Sequence, residues 1–307
     1  MNYAISTKNL TKKYKKHTAV DNLSINVLEG KIYGFLGKNG AGKTTTIRMI
    51  MGLIKPDNGE VLIFGKEVNQ NRLFAARNIG SIVESPGFYE NLTARDNLAI
   101  SCEIYNVDKK RIHEVLETVD LIDIKNKKAK EFSLGMKQRL GIANALIHSP
   151  KILVLDEPVN GLDPSGIKDT RLFLKKLSQE QGITILISSH ILSEVQLMAD
   201  YVGIIDRGVL IKETDIKLLG STQQDHLVLE VSDFEMATKI LNDINIKYTM
   251  DNDVLKVYCD RTQNAMINRR LISNEIDVFN LSSVPLSLEE MFISITDKNS
   301  RDRKDVI

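Results

Sequence analysis

Cysteine is scarce in this chain: 307 residues contain two, Cys102 and Cys259. Neither stands in a CxxC pair or at metal-ligand spacing from histidine, which excludes a disulfide framework and a thiolate metal site and predicts two reduced, packing thiols. Long apolar runs are also missing. Crossing a bilayer takes roughly 20 mostly apolar residues, and runs such as Ile152 to Leu155 and Ile183 to Ile187 fall far short. Met1 to Leu10 has no apolar h-region and no small-residue cleavage site, so no secretory leader is read there and the chain is expected to stay inside the cell. No sign of charge dominates: 41 Lys and Arg face 40 Asp and Glu, a net +1. That balance gives no general pull toward nucleic acid or anionic lipid, so no nucleic-acid partner is expected and any partner must be recognised locally. No internal repeat is present, which argues against a solenoid.

What is present is an ordinary globular composition, 42% hydrophobic and 26% charged, on a chain long enough for about two domains. Ile32 to Leu36, Ile152 to Leu155 and Thr184 to Ser188 are short runs with no polar face, as expected of buried strands in a mostly parallel sheet. Helical segments separate them, which predicts a three-layer α/β core. Ile5 to Val27 and Glu60 to Phe64 alternate apolar with polar residues and read as an antiparallel side sheet. From Thr93 to His148 the pattern is helical, with Thr93 and Asp96 capping a helix that runs through Tyr105.

After about Gly220 alternating runs at Leu227 to Val231 and Val254 to Tyr258 flank a helical stretch at Glu235 to Leu241, the pattern of a small α+β domain. Ser287 and Glu290 would cap a last helix carrying Leu288, Met291, Phe292 and Ile295. The predicted organisation is a first domain over 1–220, an accessory domain over 221–300 and a frayed, disordered tail over 301–307.

Directly after the strand Ile32 to Leu36 comes Gly37-Lys38-Asn39-Gly40-Ala41-Gly42-Lys43-Thr44-Thr45, which fits GxxxxGK[ST] in its strand, loop, helix setting. Phosphate oxygens need several donors at short range, and a backbone without Cβ at Gly40 and Gly42 can curl its N–H groups inward. Lys43 adds a point charge, the helix it starts points its positive end at the anion, and the Thr44 hydroxyl is placed to ligate Mg²⁺. A kinase or a GTPase could share such a cradle. Asp156 and Glu157 narrow the choice, because they emerge where a buried strand ends, the place where α/β folds hold ligands. Asp156 suits the Mg²⁺ shell; Glu157 can polarise an attacking water. The plainer reading, two carboxylates capping a helix after Pro158, stays beside it.

Three further segments carry a resemblance. Phe132-Ser133-Leu134-Gly135-Met136-Lys137-Gln138-Arg139, Gly161-Leu162-Asp163 and Ser188-Ser189-His190 resemble the signature segment, D-loop and switch histidine of ABC ATPases, in family order over residues 3 to 220. The resemblance implies a P-loop NTPase of the ABC cassette type that hydrolyses ATP with Mg²⁺. It makes Glu157, His190 and Lys43 the catalytic residues and Tyr14 the ring that stacks on adenine. The alternative for Tyr14 is a strand-end residue among Lys12, Lys13, Lys15 and Lys16, a run expected to be a solvated face. Ser133 can cap a helix whose N-terminus faces an anion; in the family that anion is the γ-phosphate on the partner cassette, and Asp163 links the two sites. The partners implied are a second cassette, identical or related, and a separately encoded membrane permease that holds the chain at the inner face of the membrane.

Two departures from the commonest pattern are informative: Ser133-Leu134-Gly135-Met136 replaces Ser-Gly-Gly-Gln, and Glu84 stands where the Q-loop glutamine usually does. Both resemble the ATPase subunits of bacitracin-resistance and lantibiotic-immunity exporters. Glu84 is expected to reach the metal, and Phe88 and Tyr89 either line the permease socket or cover local core. A soluble ABC protein serving ribosomes or DNA repair is the rival; such proteins usually carry two cassettes or a long coiled-coil insertion, and this chain has neither.

Overall fold

The computed structural model describes residues 2–221, 225–251, 254–259 and 261–285. Two compact units divide between Ile216 and Lys217. The first is built on a six-stranded sheet in the spatial order Val209–Asp215, Tyr201–Asp206, Ile32–Leu36, Thr184–Ser189, Ile152–Asp156, Ile79–Ile82. It is parallel except at Val209–Asp215, an antiparallel edge. The three runs expected to be buried strands lie at its centre, and every residue of Ile32–Leu36, Ile152–Asp156 and Thr184–Ser189 is buried, as strands covered on both faces must be.

Register decides what meets at the end of this sheet. Leu36 pairs with Ser189 and Asp156 with Ser188, so three strands finish level. The chain leaving them carries Gly37, Glu157 and His190, and the Gly37 N–H donates to the Ser189 carbonyl at 3.2 Å. The antiparallel side sheet, Tyr3–Tyr14, His17–Leu23, Asn26–Leu28, Asn58–Ile63 and Lys66–Glu67, shares one core with the parallel sheet. Leu10, Val20 and Val27 from the former pack in the cluster that holds Phe35, Val154 and Leu186 from the latter. Between them runs the helix Lys43–Ile50, whose Ile47 and Ile50 are fully buried; each such side chain contributes about 1.5–3 kcal/mol. That burial holds a helix whose Thr44-Thr45-Thr46 start is a poor local helix former.

The expected helical insertion comprises Ala94–Tyr105, Lys110–Thr118 and Leu134–Leu146. Thr93 caps the first through the Asp96 N–H at 3.1 Å, and Ser133 caps the third through the Met136 N–H at 3.3 Å. Cys102 and Cys259 are buried and form no disulfide among the described residues, as packing thiols should. No helix among the described residues is long and apolar enough to cross a membrane.

The second unit has a four-stranded antiparallel sheet in the order Lys247–Asp251, Val254–Tyr258, Asp225–Val231, Val278–Pro285. Helix Phe234–Asp243 follows its first strand in sequence and Arg261–Ser273 its third. This is the β-α-β-β-α-β ferredoxin-like arrangement. Leu227, Leu229 and Val231 face the core with Ala237, Leu241, Leu255, Val257, Ile267 and Leu271, which is what the alternation in sequence requires. The helix expected after Ser287 and the tail lie outside the described residues.

Candidate functional site

The loop from Gly37 to Thr45 closes over the sheet end. Gly40 and Gly42 take left-handed φ of 80° and 106°, conformations that favour glycine. A Cβ on Gly42 would lie 2.5 Å from the Ala19 carbonyl oxygen, so the loop sits directly on the side sheet. A cleft of about 530 Å³ opens above it and gathers Tyr14, Asn39 to Thr45, Glu157 and His190. Tyr14 is 46% exposed at its rim. The lysines beside it are not uniformly solvated: Lys12 lies 5.7 Å from the Tyr14 ring centroid, ion-pairs with Asp57 at 3.1 Å and donates to the Lys55 carbonyl at 2.8 Å. The Lys13 N–H and then Lys12 hold the Asp57 carboxyl below its ordinary range.

The carboxylates form one connected network with the cradle. Thr44 Oγ1 donates to Asp156 Oδ2 at 2.8 Å. Ser188 Oγ donates to Asp156 Oδ1 at 2.5 Å and accepts the Glu157 N–H at 2.9 Å. Glu157 has φ 50°, a left-handed conformation uncommon for a residue with a side chain. The turn there sends Glu157 back over the cradle: Oε1 lies 3.1 Å from Lys43 Nζ and Oε2 2.8 Å from His190 Nδ1. Lys43, 6% exposed, also donates to the Gly37 carbonyl at 2.6 Å. A buried polar group needs such acceptors in place of the water it has lost. Neither Asp156 nor Glu157 caps the next helix; Asp163 does, accepting the Gly166 N–H at 3.0 Å at the start of Pro164–Gln181.

Ser133, Gly135, Asp163 and Glu84 do not line the cleft. Ser133 and Gly135 stand at the first turn of their own helix. Glu84 is paired with Arg48, on the last turn of the phosphate-loop helix. The metal-ligand set expected from sequence is therefore only partly assembled: Thr44 and Asp156 are joined, and Glu84 is turned to Arg48.

Comparison with known proteins follows the same lines. Residues 20–160 match the family model described as ABC transporter. The bacitracin transport ATP-binding protein of Bacillus licheniformis is 47% identical over 299 residues, covering 96% of this chain and 98% of that protein. The chain belongs to the ATP-binding subunits of ABC transporters. The lantibiotic transport ATP-binding protein of Streptococcus pyogenes is 44% identical over 211 residues, 69% of this chain and 90% of that protein. Among solved structures, a dimeric ATP-binding cassette in a post-hydrolysis state, bound to ADP and phosphate, is 27% identical, with a TM-score of 0.63 over 69% of this chain and 98% of that one. This ABC cassette is accordingly an ATPase, of the family that couples ATP hydrolysis to transport.

Three residues of the cassette, His17, Asn160 and Glu194, carry no signal in the sequence, and a fourth, Ser188, carries none for its partner. His17 and Asn160 line the cleft; the first is brought there by pairing with Tyr14 across a strand turn, which no local motif marks. Ser188 was visible only as part of Ser188-Ser189-His190, and its bond to Asp156 follows from strand register. Glu194, on helix Leu192–Met198, lies within the electrostatic reach of His190 and Glu157. Its buried Oε2 has no hydrogen-bond partner among the described residues, and burial, with the Glu157 charge, raises its carboxyl above the ordinary range against the pull of His190 and Ser189.

The cleft suits a divalent cation on donor chemistry. Thr44 and Asp156 present hard oxygens within hydrogen-bond distance of each other beside the phosphate loop, the donor type that Mg²⁺ prefers.

Proposed function

We propose that two such cassettes, identical or related, close face to face around two ATP molecules and drive a separately encoded permease at the inner face of the membrane. The load is an antimicrobial peptide of the bacitracin or lantibiotic type, exported from the membrane or its target. The main support for closure is the division of labour within one chain. The cleft holds the phosphate cradle, Glu157 and His190, while the capped helix start at Ser133 and Gly135 and the Asp163 loop lie outside its lining. A helix N-terminus favours an anion, and a partner's γ-phosphate would supply it. Support for the load is the likeness to the bacitracin and lantibiotic transport proteins.

Within the site, Lys43 and the loop amides hold the triphosphate, Glu157 aligns and polarises water, His190 steadies the γ-phosphate, and Tyr14 stacks on adenine. Thr44, Asp156 and Glu84 would hold Mg²⁺, which when bound neutralises charge on the phosphate oxygens. ATP needs Lys43, so its arrival exchanges Glu157 for phosphate and frees the carboxylate for water.

Glu157→Gln should lower turnover by roughly 10²- to 10⁴-fold and elute as a dimer with ATP but as a monomer without it. A variant that stays monomeric at saturating ATP, with wild-type turnover per chain unchanged on dilution, overturns the closure. Recovery of the detergent-solubilised complex should yield a permease. Cells lacking that pair should become more sensitive to a bacitracin or lantibiotic peptide; unchanged sensitivity to all of them overturns the load.

A further inference from the structure

The loop that follows Ile79–Ile82 touches two parts of the first unit. At its centre Glu84 has φ 64°, and the Ser85 N–H donates to the Val83 carbonyl at 2.9 Å, closing a three-residue turn around it. Turns of this kind with positive central φ are rare and strained. The Glu84 carboxylate takes a charge-assisted hydrogen bond from the Arg48 guanidinium. Arg48 belongs to the last turn of Lys43–Ile50, the helix whose first residues are Lys43 and Thr44. Two residues beyond Glu84, Pro86 packs on the signature helix Leu134–Leu146: a Cβ on Gly141 would lie 2.7 Å from Pro86 Cβ.

Glutamine at position 84 could not form this ion pair, so the pairing depends on the carboxylate that sets this chain apart from the commoner pattern. The pair is solvated, with side-chain exposures of 38% and 64%. Such a bond is weak, no stronger than the strain of the turn it spans. A weak bond over a strained turn is readily exchanged for a stronger one.

We propose that Arg48 is a positioning residue that holds Glu84 away from Thr44 and Asp156 in the nucleotide-free chain. The divalent cation arriving with ATP must win the carboxylate from it. The transfer releases the turn and moves the Pro86 contact on the signature helix. This rests on the reading of Glu84 as a metal ligand.

Two measurements on the full chain test it, using Arg48→Met, Glu84→Gln, the double variant and Arg48→Lys. The first is amide exchange of the segment around Ser85 without nucleotide. Arg48→Met should exchange several-fold faster, Arg48→Lys should restore much of the protection, and wild type and Arg48→Met should converge with Mg²⁺ and ATP. The second is Mn²⁺ affinity in the presence of ATP, read by electron paramagnetic resonance. Loss of a competing surface pair should tighten Mn²⁺ binding up to about fivefold in Arg48→Met, and the effect should vanish in the Glu84→Gln background. If Glu84→Gln weakens Mn²⁺ binding while Arg48→Met changes neither exchange nor affinity, the role of Arg48 is overturned and the metal-ligand reading survives. If Glu84→Gln leaves Mn²⁺ affinity unchanged, the metal-ligand reading fails, and the exchange of partners fails with it.

Discussion

The two units of this chain treat buried polar positions in opposite ways, and left-handed backbone sits among functional groups only in the first. In the first, Lys43, Asp156, Ser188 and Ser189 are buried polar groups at one end of a parallel sheet. In the second, the core is aliphatic, and His226 is the one buried polar residue among those described. Glu84 and Glu157 carry positive φ in the first unit where chemistry is expected. Asn245 and Glu275 carry it in the second just after helices end, as Asn106 and Asp120 do in the first, and the next N–H reaches back, from Ile246 to the Leu241 carbonyl at 3.0 Å and from Ile276 to Leu271 at 3.1 Å. Those are ordinary helix stops. The contrast teaches that an unusual backbone angle points to function where it joins a polar side chain to other charged groups, as at Glu157 and Glu84, and not where it merely follows a helix end.

The comparison can be broken most severely in the second core. Leu229→Ala removes a fully buried side chain and should destabilise that unit by about 2–5 kcal/mol. ATP affinity should stay within error of wild type; denaturant melts and nucleotide titrations check both, and a lost affinity would show that the cleft depends on that core. Ser188→Ala should do the converse. It strips Asp156 Oδ1 and the Glu157 N–H of their shared partner, a penalty of about 1–3 kcal/mol, which amounts to a roughly tenfold to hundredfold loss of turnover if it falls on the transition state. Steady-state kinetics on the folded variant would reveal it, and turnover unchanged within twofold would make the Ser188 link incidental.

The smallest effect sharpens the contrast through pH. Glu194 has a raised folded pKa, so folding favours its protonated form. Its contribution to stability is present at acidic pH below the unfolded value and is lost as pH rises through the folded value. Glu194→Gln, neutral throughout, should therefore melt about 1–2 °C higher at neutral pH and coincide with wild type once both carboxyl forms are protonated. A difference that does not vary with pH would remove burial of charge as its cause.

Much of the first unit was legible because its signals are local. The central strands have no polar face, the phosphate loop is contiguous from Gly37 to Thr45, and Thr93 and Ser133 cap the helices they precede. Alternation at Leu227 to Val231 likewise marked the face that packs in the second core. The illegible part is long-range. Arg48 and Glu84 are 36 residues apart and Ser188 and Asp156 32 apart, and no periodicity in either segment encodes the other. The order of the second sheet depends on which strands meet after two helical crossovers, and alternation is blind to that. Glu84 shows both sides: its type was informative from sequence, and its partner was not.

The ion pair between Lys43 and Glu157 reaches beyond its geometry. An empty phosphate loop with a bare ammonium would attract whatever small anion is abundant in solution. Here that positive charge is already answered from within, so a visiting ion must outbid a carboxylate held at contact distance. Chloride or bicarbonate brings one charge to that contest and a triphosphate brings several, so exchange for the carboxylate favours the anion of higher charge.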